Sequence, residues 1–158
     1  MAQPAAPEAL FYHLTARPLE QAAPEILEKC LERGWRVTLR AGSRARVEAL
    51  NAHLWTYRDD AFLPHGDASD GAADRQPIYL TDGPETPNAP EVLMLVDGAQ
   101  AAPGEWTAHR RVVLMFDGWD EAAVAAARAA WREAVAAGAA ATYWAQDAGG
   151  RWTRKAQA

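Results

Sequence analysis

The most informative segment of the sequence is Gly118-Trp119-Asp120-Glu121-Ala122-Ala123-Val124-Ala125-Ala126-Ala127-Arg128-Ala129-Ala130-Trp131-Arg132-Glu133-Ala134-Val135-Ala136-Ala137-Gly138. Two glycines bracket a run of strong helix formers. Asp120 and Glu121 stand in the first turn, where the positive end of the helix dipole favours carboxylates. The stretch therefore predicts one long helix, and the rest of the chain has to supply the surface that it covers.

The predicted helix has two distinct faces. Spaced at about 100° per residue, one stripe is made of alanines: Ala123, Ala126, Ala127, Ala130, Ala134 and Ala137. A stripe of methyl groups lets a helix lie close to its neighbour, so we predict that this stripe faces the core. A second stripe carries Val124, Arg128, Trp131 and Val135, with Arg132 at its margin. This face is apolar and cationic at once, which suits an anionic and partly apolar partner.

Length and composition are those of a globular protein. A chain of 158 residues fits one domain over residues 1–158, of which we expect residues 1–9 to be disordered. Hydrophobic residues make up 49% of the sequence and charged residues 23%, and no apolar run reaches the roughly 18 residues of a bilayer span. The first residues lack the basic start and apolar core of a signal peptide, so we expect a cytoplasmic protein with no membrane partner.

Cysteine content and charge exclude further kinds of site. The single cysteine, Cys30, excludes an internal disulfide and a cysteine-based zinc site. A formal net charge of -5 argues against a sequence-independent grip on nucleic acid, because most of that affinity comes from Lys and Arg at phosphates. We therefore expect contact with DNA to be indirect, or confined to a small basic patch.

Outward from the long helix, the sequence alternates strands and helices. Strands are predicted at 10–14, 35–39, 77–81, 92–96 and 111–116, with a terminal hairpin at 142–146 and 151–155. One helix follows the first strand, and a second begins after Ser43, a good N-cap residue. A long exposed loop is predicted up to Gln76. This order predicts an α/β fold, with a mostly parallel sheet flanked by helices and a C-terminal hairpin.

The sequence lacks the motifs of nucleotide and hydrolase chemistry. It contains no Walker lysine loop, no Gly-x-Gly-x-x-Gly after the first strand and no Gly-x-Ser-x-Gly elbow. Its four histidines lack metal-ligand spacing, so no metal site is predicted. The adjacent Asp59 and Asp60 are more typical of a solvated loop than of a catalytic pair.

Two other carboxylates favour an alternative function, in which the chain binds or hydrolyses a small molecule. Asp97 and Asp117 end apolar strands, at the edge where open α/β sheets bind ligands. If they line a deep pocket and their pKa values are perturbed there, the chain is a small-molecule-binding protein or a hydrolytic enzyme rather than an interaction module.

Seven tryptophans are a high number for this length. We predict that Trp35 packs against the sheet, as Trp144 and Trp152 do in the terminal strands. Trp55, with Phe62 and Leu63, forms either an exposed apolar patch that marks a protein interface or the closure of a sheet edge. Trp131 stands between Arg128 and Arg132, and Trp and Arg dominate interface hot spots; the alternative is an amphipathic side chain lying along the surface.

Five segments, taken in order, resemble the chi subunit family of bacterial DNA polymerase III holoenzyme over nearly the whole chain. They are Phe11-Tyr12-His13-Leu14, Gly34-Trp35-Arg36-Val37, Glu48-Ala49-Leu50-Asn51-Ala52-His53-Leu54-Trp55, Phe62-Leu63-Pro64-His65, and the final helix with Arg128, Trp131 and Arg132. The Leu-Trp pair followed by Phe-Leu-Pro-His is the most specific segment. The resemblance implies a Rossmann-like α/β domain without nucleotide chemistry, catalytic residues or cofactor.

The resemblance implies an adaptor whose last long helix binds a protein tail. Chi proteins hold the acidic C-terminal tail of single-stranded DNA-binding protein on this helix, here through Arg128, Trp131 and Arg132. Trp131 stands where tyrosine is common in the family. Val124 occupies a position that is often lysine, which weakens the electrostatic part of the contact.

A second interface is also implied by the resemblance. The family's surface for the psi subunit maps to Trp55 and Phe62, with Leu63 beside them. In some bacteria an accessory DNA-repair helicase uses the same surface. The resemblance thus implies a non-catalytic link from single-stranded DNA-binding protein to the clamp loader, through a heterodimer with psi, and only indirect contact with DNA.

Overall fold

The computed structural model describes residues 6–58 and 63–158, which form one mixed sheet with helices on both faces. The helices are α1 (Leu19–Glu32), α2 (Arg44–Thr56) and α3 (Glu121–Ala136). The strands are β1 (Glu8–Leu14), β2 (Val37–Arg40), β3 (His65–Gly66), β4 (Ile78–Thr81), β5 (Val92–Leu95), β6 (Arg111–Asp117), β7 (Ala140–Gln146) and β8 (Trp152–Gln157). Within the described ranges, no helix combines the length and apolarity needed to cross a membrane.

The sheet confirms the predicted α/β architecture. Its strand order is β3-β4-β2-β5-β6-β1-β7-β8. Every neighbouring pair is parallel except β7 and β8, which form the predicted antiparallel C-terminal hairpin. The short β3 lies at the start of the segment predicted as a loop, where His65 is buried and its ring contacts the Asn51 carbonyl oxygen. A two-residue strand has no side-chain alternation to reveal it, since period two needs a longer run.

The central strands are buried on both faces, which explains their unbroken apolar sequences. In β5, Val92 and Met94 belong to the core under α1 and α2, whereas Leu93 and Leu95 belong to the core under α3. Parallel strands covered by helices on both sides are expected to lack polar alternation. Within the described residues, α1 and α2 thus cover one face of the sheet and α3 covers the other.

The first strand begins earlier than predicted, so the expected disorder of residues 1–9 is wrong for its last two residues. Glu8 and Ala9 are paired with Arg111 and Val112 in the parallel register of β1 and β6. Ala9 is fully buried, and the Glu8 carboxylate lies 3.2 Å from the Arg111 guanidinium. Strand pairing and this ion pair order two residues whose own β-propensity is low.

Helix α3 begins as its sequence requires, but its inward face differs from the predicted alanine stripe. The Asp120 carboxylate accepts hydrogen bonds from the backbone N–H groups of Ala122 and Ala123, which makes it the N-cap. Ala126 and Ala137 are exposed, not buried. The helix instead turns its Val124 and Trp131 flank towards the sheet, because burying these larger side chains removes more apolar surface from water than burying two methyl groups.

The loop between β1 and α1 is held by one distant side chain. Gln146, in β7, accepts hydrogen bonds through Oε1 from the backbone N–H groups of Thr15, Ala16 and Arg17, at 3.0, 2.9 and 3.0 Å. These groups lie just before α1, where nucleotide-binding α/β folds place phosphate oxygens. The chain's own amide therefore fills that position, in agreement with the absence of a glycine-rich phosphate motif.

We expect Gln146→Leu to lower the free energy of unfolding by about 2 kcal/mol, because it leaves converging backbone donors without an acceptor. Urea unfolding measures the loss. Gln146→Glu is the matched control, since it restores the acceptor and places a carboxylate at a helix N-terminus. A leucine variant that unfolds at the same urea concentration as the parent would contradict this role.

Candidate functional site

A groove on one flank of α3 brings together all the residues predicted for tail binding. Its cavity has a volume of about 370 Å³. We call it the α3 groove, and its lining residues are Phe116, Val124, Ala127, Arg128, Trp131, Arg132, Tyr143 and Ala156. Residues three and four apart on a helix share a face, which is why the four predicted side chains converge.

Trp131 forms both a wall of the α3 groove and part of the core. The indole is partly buried. Its ring packs edge-on against Phe11, which is fully buried, with 5.2 Å between ring centroids, and against Tyr143 at 6.4 Å. Trp131 is thus neither a free surface residue nor a fully enclosed one, and it is held in a fixed orientation beside the cavity.

Arg128 and Arg132 give the α3 groove an uncompensated positive charge. Both side chains are exposed, and neither forms an ion pair with a carboxylate in the described part of the chain. Many other arginines are paired, as Arg17 is with Glu25 at 2.6 Å. Like charges four residues apart on a helix repel each other. A bound anion would relieve this repulsion, so the groove is electrostatically suited to an acidic ligand.

The opposite wall of the α3 groove comes from strands that the sequence analysis did not assign to the site. Tyr143 lies in β7, and its hydroxyl forms a hydrogen bond with Nδ1 of His13. The His13 ring stacks on Phe116, with 4.9 Å between centroids. Burial raises the pKa of the Tyr143 hydroxyl, while the charge of Arg128 acts in the opposite direction. The phenol is therefore neutral at physiological pH and adds an aromatic surface to the groove.

The alternation of side chains between the two faces of β7 could have predicted this wall from the sequence. Ala141 and Tyr143 both belong to the core under α3, because alternate residues of a strand point to the same face. The strand that directly follows a helix is often its spatial neighbour.

The second predicted surface is only partly available for a partner. Trp55 is 52% exposed at the end of α2, and its ring centroid lies 4.2 Å from that of His65. Leu63 is only 2% exposed and packs in the core under α1 and α2, which corrects its prediction as an interface contact. Burial removes its apolar side chain from water and from contact with a partner. Phe62, like Asp59 and Asp60, lies outside the described residues.

The alternative pair of carboxylates lines a crevice that is larger than the α3 groove. This crevice, of about 1050 Å³, lies at the carboxyl ends of β1, β5 and β6, and Asp97 and Asp117 are among its lining residues. The neighbouring strands β1 and β6 lead to helices on opposite faces, which is where open α/β sheets hold ligands. The cavity and its location match two of the features that the alternative function requires.

The two carboxylates are nevertheless occupied by contacts within the fold. The Asp97 carboxylate accepts a hydrogen bond from Nε of Arg46 at 2.8 Å. The Asp117 carboxylate accepts one from the backbone N–H of Trp119 at 2.9 Å. In the ranges that the structure describes, no cluster of three or more His, Cys, Asp or Glu side chains is placed to hold a metal ion. The geometry thus gives these aspartates a structural use.

Comparison with known proteins agrees with the resemblance seen in the sequence. Residues 7–142 match the family described as "DNA polymerase III chi subunit, HolC". A protein of Rickettsia prowazekii (strain Madrid E), named "Probable DNA polymerase III subunit chi", is 32% identical over 91 residues. That alignment covers 58% of this chain and 55% of the relative, so the chain matches little more than half of the relative's length. The family match extends over both faces of the sheet and most of the α3 groove, and it shows that the chain belongs to the chi subunit family of DNA polymerase III.

Proposed function

We propose that this chi-family chain is a non-catalytic, cytoplasmic adaptor that binds the acidic C-terminal tail of single-stranded DNA-binding protein in the α3 groove. A single observation carries the proposal: an aromatic wall, Trp131, lies beside Arg128 and Arg132, which have no carboxylate partner in the described residues. A tail that ends in Pro-Phe presents an aromatic ring next to a terminal carboxylate. The groove offers an apolar surface and a cation that are no farther apart than the length of one side chain.

The dimensions of the α3 groove support a small terminal group as the ligand. A volume of about 370 Å³ lies at the lower end of the range for small-molecule pockets, about 300 to 1,000 Å³. One aromatic residue with its carboxylate fits such a space, whereas a folded domain does not. Val124 adds an aliphatic contact at the position where other family members often carry lysine.

The arginines should make tail binding sensitive to salt and to truncation. We expect Arg128→Ala and Arg132→Ala each to weaken the affinity for an acidic peptide ending in Pro-Phe by about tenfold, because each removes a charge-assisted hydrogen bond. Binding to the parent should weaken as ionic strength rises, since exposed charges are screened beyond about 8 Å at physiological salt. Titration calorimetry at several salt concentrations measures both effects.

A peptide of the same sequence with an amidated C-terminus is the control for the terminal carboxylate, and it should bind more weakly than the free acid. An affinity that stays constant between low and high salt would count against the electrostatic contact.

We further propose that the surface around Trp55 binds a psi subunit, or an accessory helicase, and thereby links the tail to the clamp loader. The exposure of Trp55 beside the buried His65 supports this assignment. Exposed aromatic residues on a rigid helix end are typical interface anchors.

The two surfaces should behave independently. Trp55→Ala, and Phe62→Ala in the same segment, should abolish capture of psi while changing tail affinity by less than about twofold, because distant sites without shared partners have additive effects. Pull-down of psi and peptide titration on the same variants provide the test. If a variant with unchanged circular dichroism loses both activities together, the model of two separate surfaces fails.

A further inference from the structure

A cluster of arginines surrounds Trp35 at the amino-terminal edge of the sheet. Arg33, Arg110 and Arg111 each place their guanidinium carbon over the Trp35 ring, at 4.9, 5.3 and 5.0 Å from its centroid. We call these four residues the Trp35 patch. Trp35 lies just before β2 and not in a strand as predicted, but it is partly buried against the core under α1 and α2. The patch thus lies on the face of the sheet opposite to α3.

Two of the three arginines are available to a ligand. Arg111 is paired with Glu8 at 3.2 Å. Arg33 and Arg110 are exposed, and neither is paired with a carboxylate anywhere in residues 6–58 or 63–158. The chain carries a net charge of -5, so this concentration of positive charge runs against the overall composition. The repulsion between guanidinium groups held over one ring would be relieved by an external anion.

Contact with an aromatic ring does not occupy the N–H donors of an arginine. A guanidinium stacked on an aromatic ring makes that contact with its flat face, while its N–H groups lie in the plane and remain able to donate. Those donors match the oxygens of a phosphate, to which arginine can bind in a bidentate manner. Clustered positive charge that follows the phosphate backbone is also typical of surfaces that bind single strands without sequence preference.

We propose that the Trp35 patch binds the phosphate backbone of single-stranded DNA, in a contact separate from the α3 groove. The chain belongs to a family of DNA polymerase III subunits, and DNA is the polyanion that lies near such subunits. Two or three phosphate contacts give only a weak affinity, so the net charge does not exclude them. Such a contact becomes useful when another interaction already holds the protein near the strand, because the local concentration of DNA is then high.

The test uses the full chain and a fluorescein-labelled oligothymidylate of about 20 nucleotides, which exceeds the site of a single binding surface. Fluorescence anisotropy at low salt should give a dissociation constant of about 10⁻⁴ to 10⁻⁶ M for the parent. The double variant Arg33→Glu with Arg110→Glu should bind at least about tenfold more weakly. For every phosphate that the variant no longer binds, the plot of log affinity against log salt should become flatter by about 0.7.

Arg154→Glu with Lys155→Glu is the matched control, because it makes the same change in net charge at two exposed cations of β8. This control should keep most of the DNA affinity. Both double variants should remain folded in urea unfolding, and the Arg33 and Arg110 variant should unfold at a slightly lower urea concentration because it loses two contacts with the Trp35 ring. The Arg33 and Arg110 variant should also bind the acidic tail peptide as the parent does.

Four outcomes would overturn the proposal. The first is a parent protein that shows no binding up to about 10⁻⁴ M. The second is an equal loss of affinity in the two double variants, which would indicate overall charge rather than a site. The third is loss of DNA binding in Arg128→Glu with Arg132→Glu while the Trp35 patch variant retains it, which would place the contact in the α3 groove. The fourth is an oligoglutamate peptide that competes as well as unlabelled oligothymidylate, which would indicate an acidic protein partner instead of DNA.

Discussion

Replacing Trp131 with alanine should weaken binding of the acidic tail peptide by about 2 kcal/mol or more and should also lower the free energy of unfolding by about 2 kcal/mol. The binding loss follows from the position of the indole as a wall of the α3 groove. The stability loss follows from its edge contact with the buried Phe11, at 5.2 Å between centroids. A half-buried ring should cost less than the roughly 3 to 5 kcal/mol typical of a fully enclosed aromatic side chain.

Peptide calorimetry and urea unfolding on the same variant separate the two losses. Trp131→Tyr should retain most of the tail affinity, because it keeps an aromatic wall at this position. Val135→Ala is the control on the same helix, since Val135 is 40% exposed and does not line the groove. A Trp131→Ala protein that unfolds more easily but, while folded, binds the tail as tightly as the parent would remove Trp131 from the site.

Glu105→Ala should lower the free energy of unfolding by about 3 kcal/mol, because it leaves the buried guanidinium of Arg40 without its counterion. Arg40 is 4% exposed, and its two terminal nitrogens donate to the two Glu105 oxygens at 2.9 and 3.0 Å. The same nitrogens donate to the carbonyl oxygens of Gln100 and Pro84. Arg40 thus ties the end of β2 to two connections, the one between β4 and β5 and the one between β5 and β6.

The penalty for Glu105→Ala should depend on pH in a defined direction. Burial is the largest single effect and raises the pKa of the Glu105 carboxyl, but the hydrogen bonds from Arg40 and from the Ala102 backbone N–H, together with nearby positive charge, outweigh it and hold the pKa below its usual value. A carboxyl whose pKa is lowered by folding stabilises the folded state above its unfolded pKa, about 4.3, and loses that contribution as the pH falls through the folded value. The difference between parent and variant should therefore be full at neutral pH and shrink in acid.

Urea unfolding at neutral and acidic pH measures this prediction. Glu133→Ala is the control, because Glu133 is an exposed glutamate and forms no ion pair within the described ranges. The double variant Arg40→Met with Glu105→Leu removes both charges and should recover most of the lost stability. If Glu105→Ala unfolds like Glu133→Ala, the ion pair does not stabilise the fold.

Local sequence determined the elements and one side of the α3 groove. Apolar runs without alternation indicated strands covered on both faces, and the alternation of strands and helices indicated a parallel sheet. Asp120 and the flanking glycines placed α3 to within a few residues. The spacing of Val124, Arg128 and Arg132 brought them to one face, because helical geometry depends only on neighbours along the chain.

The resemblance to a known family supplied what residue chemistry alone left open. An apolar and cationic helix face indicates an anionic ligand, but it does not identify the partner. The order of five short segments pointed to the chi family, and the match over residues 7–142 confirmed it. The roles of the individual site residues remain predictions that the proposed variants test.

The packing of these elements against one another could not be predicted from local sequence. It turned α3 so that Trp131 is partly buried while Ala126 is exposed, and it placed Tyr143 on the far wall of the groove. It buried Leu63, and it brought Arg33 and Arg110 over the same indole. The physical reason is that neighbouring strands of this sheet, such as β1 and β6 or β1 and β7, are far apart along the chain. Which side chain fills which space is then set by packing between distant segments, a quantity that no local pattern encodes.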